Sequence, residues 1–487
     1  MLKKLLRKQD GLALPIVIVL FTVIMVLSIS ALNMAINQSR MTTEYTASVD
    51  ALHIAESGIN EYMWYLNKAD HENFEIGQDI EVVFADESVQ DGMYRLEYVD
   101  GSVDDGYVRI RSTGYNTQKP DKLRTIEAVV SKKSFTEYVW LTNAEEQVWN
   151  VCIHTWNGPF HTNHTINISG QPKFYGPVTY SNSINTSNWY APADPQYFDG
   201  DPRKVESIDF PDTNSELISR AKINGHYYDG MTAIFLNGDT YDVKTYNRTE
   251  GKWYFNGQEY HGNEKPTDIP SLPLPDNGVI YVDGSGTTKW HRNTGDLFIS
   301  GEIDGQLTVA GANNIYITGY DPTDWREPNY TGDNPEYVPQ GEVTGGISYA
   351  RGIDDETSLF GLIAENNIEI INRRWPRVTG SAANNRWGNI GDIAPNNINL
   401  HGAYMALRGT IKYDQIGKQK GDASLFGSMI QDTRGAFASG NYGYGRDFYY
   451  DPRLLYQIPP YFLEPVDAGW ELNEWREVGT HVPPPAE

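Results

Sequence analysis

The segment HTWNGPFHTNH contains three histidines and is the part of the sequence most similar to a metal site. A zinc site needs three or four such ligands that converge on one point. His154, His161 and His164 supply three, but in an extended segment His161 and His164 point to opposite faces because their spacing is odd. The pattern therefore favours ordinary polar positions at the corners of a β-fold. No metal ion or other cofactor is expected.

Paired carboxylates could provide the acid and the base of a glycosidase. Adjacent pairs occur at Asp104-Asp105, Glu145-Glu146 and Asp354-Asp355. Neighbouring residues of a strand project to opposite sides, whereas a glycosidase needs two carboxylates that face each other across the bond to be cleaved. Solvated turns explain these pairs better than catalysis does.

Other motifs of catalysis or ligand binding give no stronger signal. The sequence has neither a P-loop nor a nucleophile elbow. Asp199 and Asp201 offer oxygen ligands for calcium, but no loop of EF-hand length surrounds them. The single cysteine, Cys152, cannot form an intrachain disulfide and is predicted to be a small buried hydrophobe. The sequence thus predicts a protein that is not an enzyme.

Composition and charge favour a β-rich chain without a general affinity for nucleic acid. The 487 residues suffice for two or three domains. With 64 acidic and 39 basic residues, a formal charge of −25, the chain repels phosphate backbones. A local basic strip, Arg373, Arg374 and Arg377, keeps DNA capture open as an alternative. The 32 tyrosines and 45 glycines favour strands and turns.

The N-terminus has the pattern of a membrane segment. Four basic residues precede Gly11, and the stretch from Leu12 to Leu32 is almost wholly apolar. About 20 such residues cross a bilayer core of about 30 Å, and the positive-inside rule places the bulk of the chain outside the cytoplasm. A cleaved signal peptide and a plain signal anchor are the alternatives, although the apolar run is longer than a typical signal-peptide core.

The helix is predicted to continue past the membrane. Apolar and small residues repeat at three-and-four spacing at Ala51, Ile54, Ala55, Gly58, Ile59, Tyr62 and Leu66. One helix would therefore extend from Leu12 to about Asn67, with an apolar half followed by an amphipathic half. At about 1.5 Å per residue it reaches roughly 80 Å.

This N-terminus resembles that of type IV pilins and pseudopilins. The segment ASVDALHIAESGINEYMWYL (47–66) is similar to the PilX-type minor pilin N-terminus, whose Ala-Glu-x-Gly element falls on Ala55, Glu56 and Gly58. The resemblance implies that a prepilin peptidase cleaves between Gly11 and Leu12 and that Leu12 is then methylated. It also implies partners: other major and minor pilins through the helix, and an inner-membrane assembly platform.

Two positions behind the cleavage point bear on that resemblance. Pro15 becomes the fourth residue of the mature chain, where a helix N–H has no intrahelical acceptor, so the proline loses no hydrogen bond there. Ile16 occupies the position where most pilins carry a glutamate that neutralises the amino terminus of the neighbouring subunit. We interpret Ile16 as a sign of a tip or priming subunit. The alternative is drift of this residue in an anchor that is unrelated to pili.

The rest of the chain is expected to be β-rich. Alternating stretches between residues 76 and 133 predict a four-stranded antiparallel sheet on the helix. Beyond it, short apolar strands set off by Gly and Asn, such as 295–301 and 313–319, favour a β-solenoid or β-helix, with a β-sandwich as the alternative. An Asn before a strand can bond along such a stack. Two stretches, 237–265 and 320–342, are predicted as inserted loops suited to binding.

The fold class is therefore an α+β pilin-like module followed by a large all-β domain. The expected parts are a leader (1–11), a transmembrane-to-amphipathic helix (12–70), an antiparallel sheet (71–135), a β-rich head (136–465) and a C-terminal tail (466–487). In segments such as GPFHTNHTINISGQPKFYGPVTYS (158–181), LFGLIAENNIEI (359–370) and YDPRLLYQIPPYF (450–462), the head resembles an uncharacterised bacterial domain found behind pilin-like N-termini.

The expected function is that of a minor pilin-like protein. It primes or caps a filament and displays the head for adhesion or contact with a surface or glycan. It resides in the cytoplasmic membrane before assembly and at the cell surface afterwards. The alternatives are a membrane-anchored envelope protein that binds or processes polysaccharide, and DNA capture at a pilus tip.

Overall fold

The computed structural model divides the chain into two units. Unit 1 is formed by Met1–Lys132 and Trp470–Glu487, and unit 2 by Lys133–Gly469. The described residues are 13–68, 74, 76–83, 91–103, 106–145, 148–260, 265–286, 289, 291–323, 345–372, 394–414, 416–466 and 468–479.

Unit 1 is a long helix packed on a five-stranded antiparallel sheet. The helix, α1, spans Ala13–Asn67. In their order across the sheet, the strands are β1 (Asp79–Val82), β2 (Gly92–Ser102), β3 (Tyr107–Asn116), β4 (Lys119–Lys132) and a fifth, which we name the closing strand (Trp470–Val478).

The C-terminal half of α1 lies on one face of this sheet because its apolar residues repeat with the period of a helix. Ile54, Tyr62 and Leu66 are buried in a core that also contains Leu96 of β2 and Ile110 of β3. The prediction of one continuous helix to about Asn67 is confirmed over Ala13–Asn67.

The closing strand is the main difference from the expected sheet. Instead of a tail over 466–487, Trp470–Val478 pairs antiparallel with β4, from Trp470 opposite Lys132 to Val478 opposite Thr125. Unit 2 is therefore inserted in the chain between two adjacent strands of unit 1. This pairing has no local signal in the sequence, because the partner strand precedes it by the whole of unit 2 and no short turn connects the two.

Unit 2 consists of short strands with one regular helix, α2 (Glu216–Asn224). The strands before α2 are β5 (Trp140–Ala144), β6 (Thr155–Trp156), β7 (Phe160–Thr162), β8 (Ile166–Ile168), β9 (Lys173–Phe174), β10 (Val178–Tyr180), β11 (Ile184–Thr186), β12 (Gln196–Tyr197) and β13 (Arg203–Lys204). After α2 come β14 (His226–Asp229), β15 (Thr232–Gly238), β16 (Thr240–Asn247), β17 (Lys252–Phe255), β18 (Gln258–Glu259), β19 (Leu272–Pro273), β20 (Val279–Asp283), β21 (Leu297–Ile303), β22 (Gln306–Gly311) and β23 (Ile315–Ile317). The last strands are β24 (Gly345–Tyr349), β25 (Leu359–Ala364), β26 (Ile368–Ile370), β27 (Ile398–Ala406), β28 (Ile411–Tyr413), β29 (Gln419–Thr433), β30 (Ala438–Ser439) and β31 (Tyr442–Tyr449).

Most of these strands pair in parallel with a strand from another pass of the chain. One ladder runs through β14, β20, β22, β25, β27, β29, β5, β7, β10 and β13. A second runs through β15, β21, β24, β27, β29 and β31, and a third through β23, β26 and β28. The N-terminal strands of unit 2 thus continue the stack beyond β29. The expected large β-rich domain is present, and its parallel ladders contrast with the antiparallel sheets typical of sandwiches.

Antiparallel pairing in unit 2 is concentrated where an inserted loop was predicted. Strands β15, β16, β17 and β18 pair antiparallel in sequence order, so much of 237–265 consists of short hairpins. The other predicted insertion, 320–342, lies outside the described residues except for 320–323.

Asparagine side chains link successive passes, as the sequence predicts. The Asn313 amide donates to Asp296 Oδ1 at 2.9 Å, and Asn366 donates to Asn313 Oδ1 at 2.7 Å. Beside them, Asn367 donates to Asn314 Oδ1 at 3.1 Å. The Asn313 and Asn314 side chains both donate and accept along the stack, which ends at the buried carboxylate of Asp296, so these buried polar groups are satisfied.

Candidate functional site: the two halves of the N-terminal helix

The first half of α1 is exposed along its whole length. Every residue from Leu14 to Thr46 is exposed, and Ala47 is the first buried one. The segment is apolar enough and long enough to cross a membrane, judged by length and composition. An exposed apolar stretch of this kind is suited to lipid or to the helices of other subunits.

Pro15 and Ile16 lie at the start of this exposed half. Pro15 is in the first turn of α1, where its missing N–H breaks no intrahelical hydrogen bond. The Ile16 side chain is 61% exposed, so nothing in unit 1 accounts for an apolar residue there. Gly11 and Leu12, the predicted cleavage and methylation positions, lie outside the described residues.

The second half of α1 approaches the sheet closely because small residues line the contact. Ala55 and Gly58 are buried, and a Cβ at Gly58 would lie 2.6 Å from the Tyr94 ring and 2.7 Å from Ser112 Oγ. On the sheet, a Cβ at Gly114 would meet the backbone of α1 itself. Real Cβ atoms do not approach other atoms so closely, so larger residues at these positions would push the helix off the sheet.

Glu56 has a different role from its two neighbours in the Ala-Glu-x-Gly element. Its side chain is half-exposed, and Oε2 lies 3.1 Å from His53 Nδ1, one turn earlier on the same helix. The structure therefore brings Ala55 and Gly58 together in the contact with the sheet and leaves Glu56 outside it.

Polar contacts fix the register of the helix on the sheet. Asp50 is buried, and its Oδ2 accepts a hydrogen bond from the Asn116 amide at 3.2 Å. The Tyr94 hydroxyl donates to Glu61 Oε2 at 2.9 Å. Burial, and next this hydrogen bond, raise the pKa of Tyr94 far above its ordinary value, so the hydroxyl stays a donor. Sequence analysis missed Asp50, whose partner comes from β3.

A charged cluster joins β3, β4 and the closing strand. Arg111 donates to Glu127 Oε2 at 2.7 Å, Arg109 approaches Glu127 Oε1 at 3.4 Å, and Arg476 of the closing strand bonds the same carboxylate. Burial alone would raise the pKa of Glu127, but the hydrogen bonds from Arg476 and Arg111 outweigh it and lower the pKa to about 2. Arg109 and Arg111 thus share one partner across the strands, a buried carboxylate.

The three histidines of the predicted polar corners do not form a metal site. His161 is buried, with Nδ1 2.8 Å from Thr179 Oγ1 and Nε2 2.9 Å from Asn163 Oδ1, and burial lowers its pKa to about 4. His164 is exposed, and His154 is half-buried. Within the described residues, no group of three His, Cys, Asp or Glu side chains is placed to hold a metal ion.

Two of the paired carboxylates are buried, so solvated turns were the wrong explanation for them. Glu145 accepts a hydrogen bond from the buried Arg434 at 2.9 Å. Asp355 accepts hydrogen bonds from the backbone N–H and the hydroxyl of Thr357, at 2.9 and 2.7 Å. Hydrogen bonds from Ser358 and Thr357 hold the pKa of Asp355 below its usual range. Each carboxylate has a structural partner of its own rather than a second carboxylate beside it.

The remaining candidates are exposed, half-buried or outside the described part of the chain. Those outside it are Asp104, Asp105, Glu146, Arg373, Arg374 and Arg377. Asp199 and Asp201 are exposed. Cys152 is half-buried rather than fully buried, and its Sγ accepts the Gln171 N–H at 3.1 Å.

Comparison with known proteins finds a weak structural similarity to a solved structure. No model of a known protein family matches the sequence, and no curated protein matches it. Among solved structures, the competence-associated pilin ComZ from Thermus thermophilus is similar to this chain, with a TM-score of 0.30 and 10% sequence identity over 89% of this chain and 98% of that one. A TM-score of that size does not establish a common fold. The long apolar helix of the present chain itself fits a pilin-like N-terminus.

Proposed function

We propose that this chain is a minor pilin-like subunit of a type IV pilus or a related secretion filament. The observation that carries the proposal is the single helix α1, whose first half is exposed and apolar and whose second half is buried on an antiparallel sheet. A plain anchor needs about 20 apolar residues and no rigid continuation. A subunit that must hold a folded domain at a fixed place on a bundle of helices needs both halves in one rod.

In this proposal the leader, residues 1–11, is removed by a prepilin peptidase and Leu12 becomes the methylated N-terminus. Before assembly the chain is a single-pass protein of the cytoplasmic membrane with its bulk outside. During assembly the exposed half of α1 packs against the helices of other pilins, with help from an inner-membrane platform. The apolar, uncharged surface from Leu14 to Leu32 suits that packing.

Unit 2 is the displayed head, and we propose that it is a β-solenoid. In-register parallel ladders, linked by Asn313, Asn366 and their neighbours, support this architecture. The proposed role of the head is adhesion or contact with a surface, without catalysis. Ile16 in place of the usual glutamate, together with so large a head, favours a priming or capping position at the tip over the shaft.

The N-terminus of the protein in the cell envelope tests this proposal. Mass spectrometry should find a chain that starts at N-methylated Leu12. Replacement of Gly11 by a bulky residue, Gly11→Leu, should leave the leader in place and remove the protein from sheared filaments. An intact leader on the natural chain, with no dependence on the filament machinery, would instead favour the plain envelope anchor.

A further inference from the structure

A row of aromatic side chains lies on the outer face of one ladder of unit 2. Phe426 pairs with Tyr449, and Tyr449 bridges Asn157 on the next pass. Trp156 pairs with Phe174 and Phe174 with Tyr197, so the residues that follow them, Asn157, Tyr175 and Phe198, continue the same row. In order across the stack the row is Phe426, Tyr449, Asn157, Tyr175 and Phe198.

The row points outward because the alternate positions point into the core. Phe448, Trp156 and Phe174 are at most 1% exposed, whereas their neighbours Tyr449 and Tyr175 are 51% and 47% exposed. Phe198, at the end of the row, is 56% exposed. Phe426, at the other end, is half-buried against the core, so the exposed part of the row is Tyr449, Tyr175 and Phe198. Exposed aromatic side chains that lie close together are a feature of binding surfaces.

The geometry of the row leaves a slot at Asn157. The rings of Tyr175 and Phe198 are stacked, with an interplanar angle of 6° and centroids 4.4 Å apart, so one face of Tyr175 is covered by Phe198 on the next pass. The second face of Tyr175 therefore looks across Asn157 toward Tyr449. Two strand spacings separate these tyrosines, about 9.6 Å. A single ring that contacts both tyrosines with its two faces needs about 7–8 Å between them, so the slot has room for one ring.

The residue at the base of the slot, Asn157, has a short side chain, and polar side chains lie beside the slot. Asn157 directs its amide to the backbone, where Nδ2 donates to Phe448 O at 3.0 Å. Thr155, Lys173 and Gln196 form a second outward row two positions earlier on the same strands. An apolar slot beside a line of hydrogen-bonding groups matches a sugar ring, which has C–H faces and a hydroxyl rim.

The charge of the residues around the slot favours an uncharged flat ligand over a nucleic acid. A nucleobase also fits such a slot, but the phosphates that follow it need a surplus of cations. On this face Lys173 is offset by exposed Asp447, and Asp199 follows Phe198 directly. The Arg453 guanidinium, 6.0 Å from the centre of the Phe426 ring, is paired with Asp451 at 2.6 Å. The nearest basic pair along the chain, Arg203 and Lys204, belongs to β13 on a different ladder. A ligand without charge meets no repulsion here.

We propose that the aromatic row is a binding site for a neutral, linear polysaccharide, one ring of which occupies the slot between Tyr175 and Tyr449. The inference specifies a ligand for the surface-binding role proposed above. It rests on that role only for the place where the protein meets the ligand. The row is a property of unit 2 and binds whether or not the chain enters a filament.

The test uses the full-length protein in an amine-oxide detergent, because maltoside and glucoside detergents carry competing sugars. The probes are cellulose, chitin and β-1,3-glucan in sedimentation assays, the soluble hexasaccharide of whichever polymer retains the protein, and oligothymidylate. We expect retention on at least one polymer. Its affinity should fall tenfold or more in Tyr175→Ala and in Tyr449→Ala. Tyr442→Ala is the matched control, since Tyr442 is 55% exposed on the same strand as Tyr449 but outside the row, and it should bind normally.

A variant that fills the slot distinguishes binding in the slot from nonspecific binding to exposed aromatic side chains. Asn157→Phe completes the aromatic row and closes the slot, so it should abolish binding although it adds aromatic surface. Unchanged or tighter binding by this variant, retention on none of the polymers, or stronger binding of oligothymidylate would overturn the proposal. The N-terminus of the same cellular protein separates the two proposals. A chain trimmed to Leu12 that binds no glycan refutes the slot alone, and an untrimmed chain that binds glycan refutes the filament role alone.

Discussion

The two halves of α1 have the same backbone and opposite requirements. In the first half, every residue from Leu14 to Thr46 is exposed, so packing within unit 1 does not constrain the shapes of its side chains. In the second half, Ala55, Gly58 and Asp50 are each fitted to a particular group of the sheet. One helix therefore meets two requirements: an apolar surface is enough in the first half, whereas the second half must match the shape of the sheet.

The largest expected difference between the halves comes from truncating an isoleucine in each. Ile54 is fully buried and Ile24 is 52% exposed. Ile54→Ala should lower the free energy of unfolding of unit 1 by about 2–5 kcal/mol, because it removes buried methyl groups and leaves a cavity. Ile24→Ala should leave it unchanged. Hydrogen exchange of peptides from β3 and β4, read by mass spectrometry in micelles, measures unit 1 separately from unit 2.

Equal protection in the two variants would contradict the division of α1 into a buried and a free half. The same samples supply an internal control, since peptides from the parallel ladders of unit 2 should exchange alike in both.

The second prediction tests whether ion pairs hold the closing strand on the sheet, whereas close packing holds the helix on it. The pKa of Glu127 is lowered to about 2 by its arginine partners, from an ordinary value of 4.5. A lowered pKa stabilises the fold above the unfolded-state value, and the stabilisation is lost as the pH falls through the folded-state value. Glu127→Gln should therefore cost about 2–3 kcal/mol at pH 7, after allowance for the half-exposed Arg476.

The gap between natural protein and Glu127→Gln should shrink as the pH falls from about 4.5 to about 2. Thermal unfolding across that range measures it. Glu81→Gln, which changes an exposed carboxylate of β1, is the control and should show little effect at any pH. A gap that stays constant with pH would mean that the Glu127 cluster contributes packing rather than charge.

The third effect concerns the close approach of helix and sheet. Gly114→Ala should destabilise unit 1 by about 1–3 kcal/mol, because the new methyl group meets the backbone of α1 at Ala51 and Ala55. Gly58→Ala should cost less, since it meets the side chains of Tyr94 and Ser112, which can shift. Gly479→Ala, with open space around it, is the control and should be neutral. The midpoints of urea unfolding of the three variants measure this order. A Gly58→Ala variant that is less stable than the Gly114→Ala variant would show that the side chains of Tyr94 and Ser112 cannot shift to make room.

Sequence periodicity was sufficient for α1 and for most of the antiparallel sheet because both depend on local patterns. The apolar-to-amphipathic change predicted the helix, and the alternating stretches predicted the strands that became β1 to β4. The Asn links between passes also follow from a local rule, an Asn placed just before a strand.

What could not be predicted depends on partners far away in the chain. The closing strand needs β4, and Glu145 needs Arg434, which follows it by 289 residues. The aromatic row is invisible in the sequence because its members belong to different passes of the chain. A single sequence gives the type of each residue but not which distant segment covers it.

The smallest effect on folding, and the sharpest contrast between the two halves of α1, is expected at Ile16. Its side chain is exposed and has no role in unit 1, so Ile16→Glu should leave the unfolding of unit 1 unchanged. In an assembled filament the new carboxylate would neutralise the amino terminus of a neighbouring subunit, so a protein confined to the tip should now enter the shaft. Copy number per filament, measured by immunogold labelling of sheared pili, reports this, with Ile16→Gln as the uncharged control. If the glutamate and glutamine variants are incorporated alike, the missing carboxylate does not set the position of the subunit.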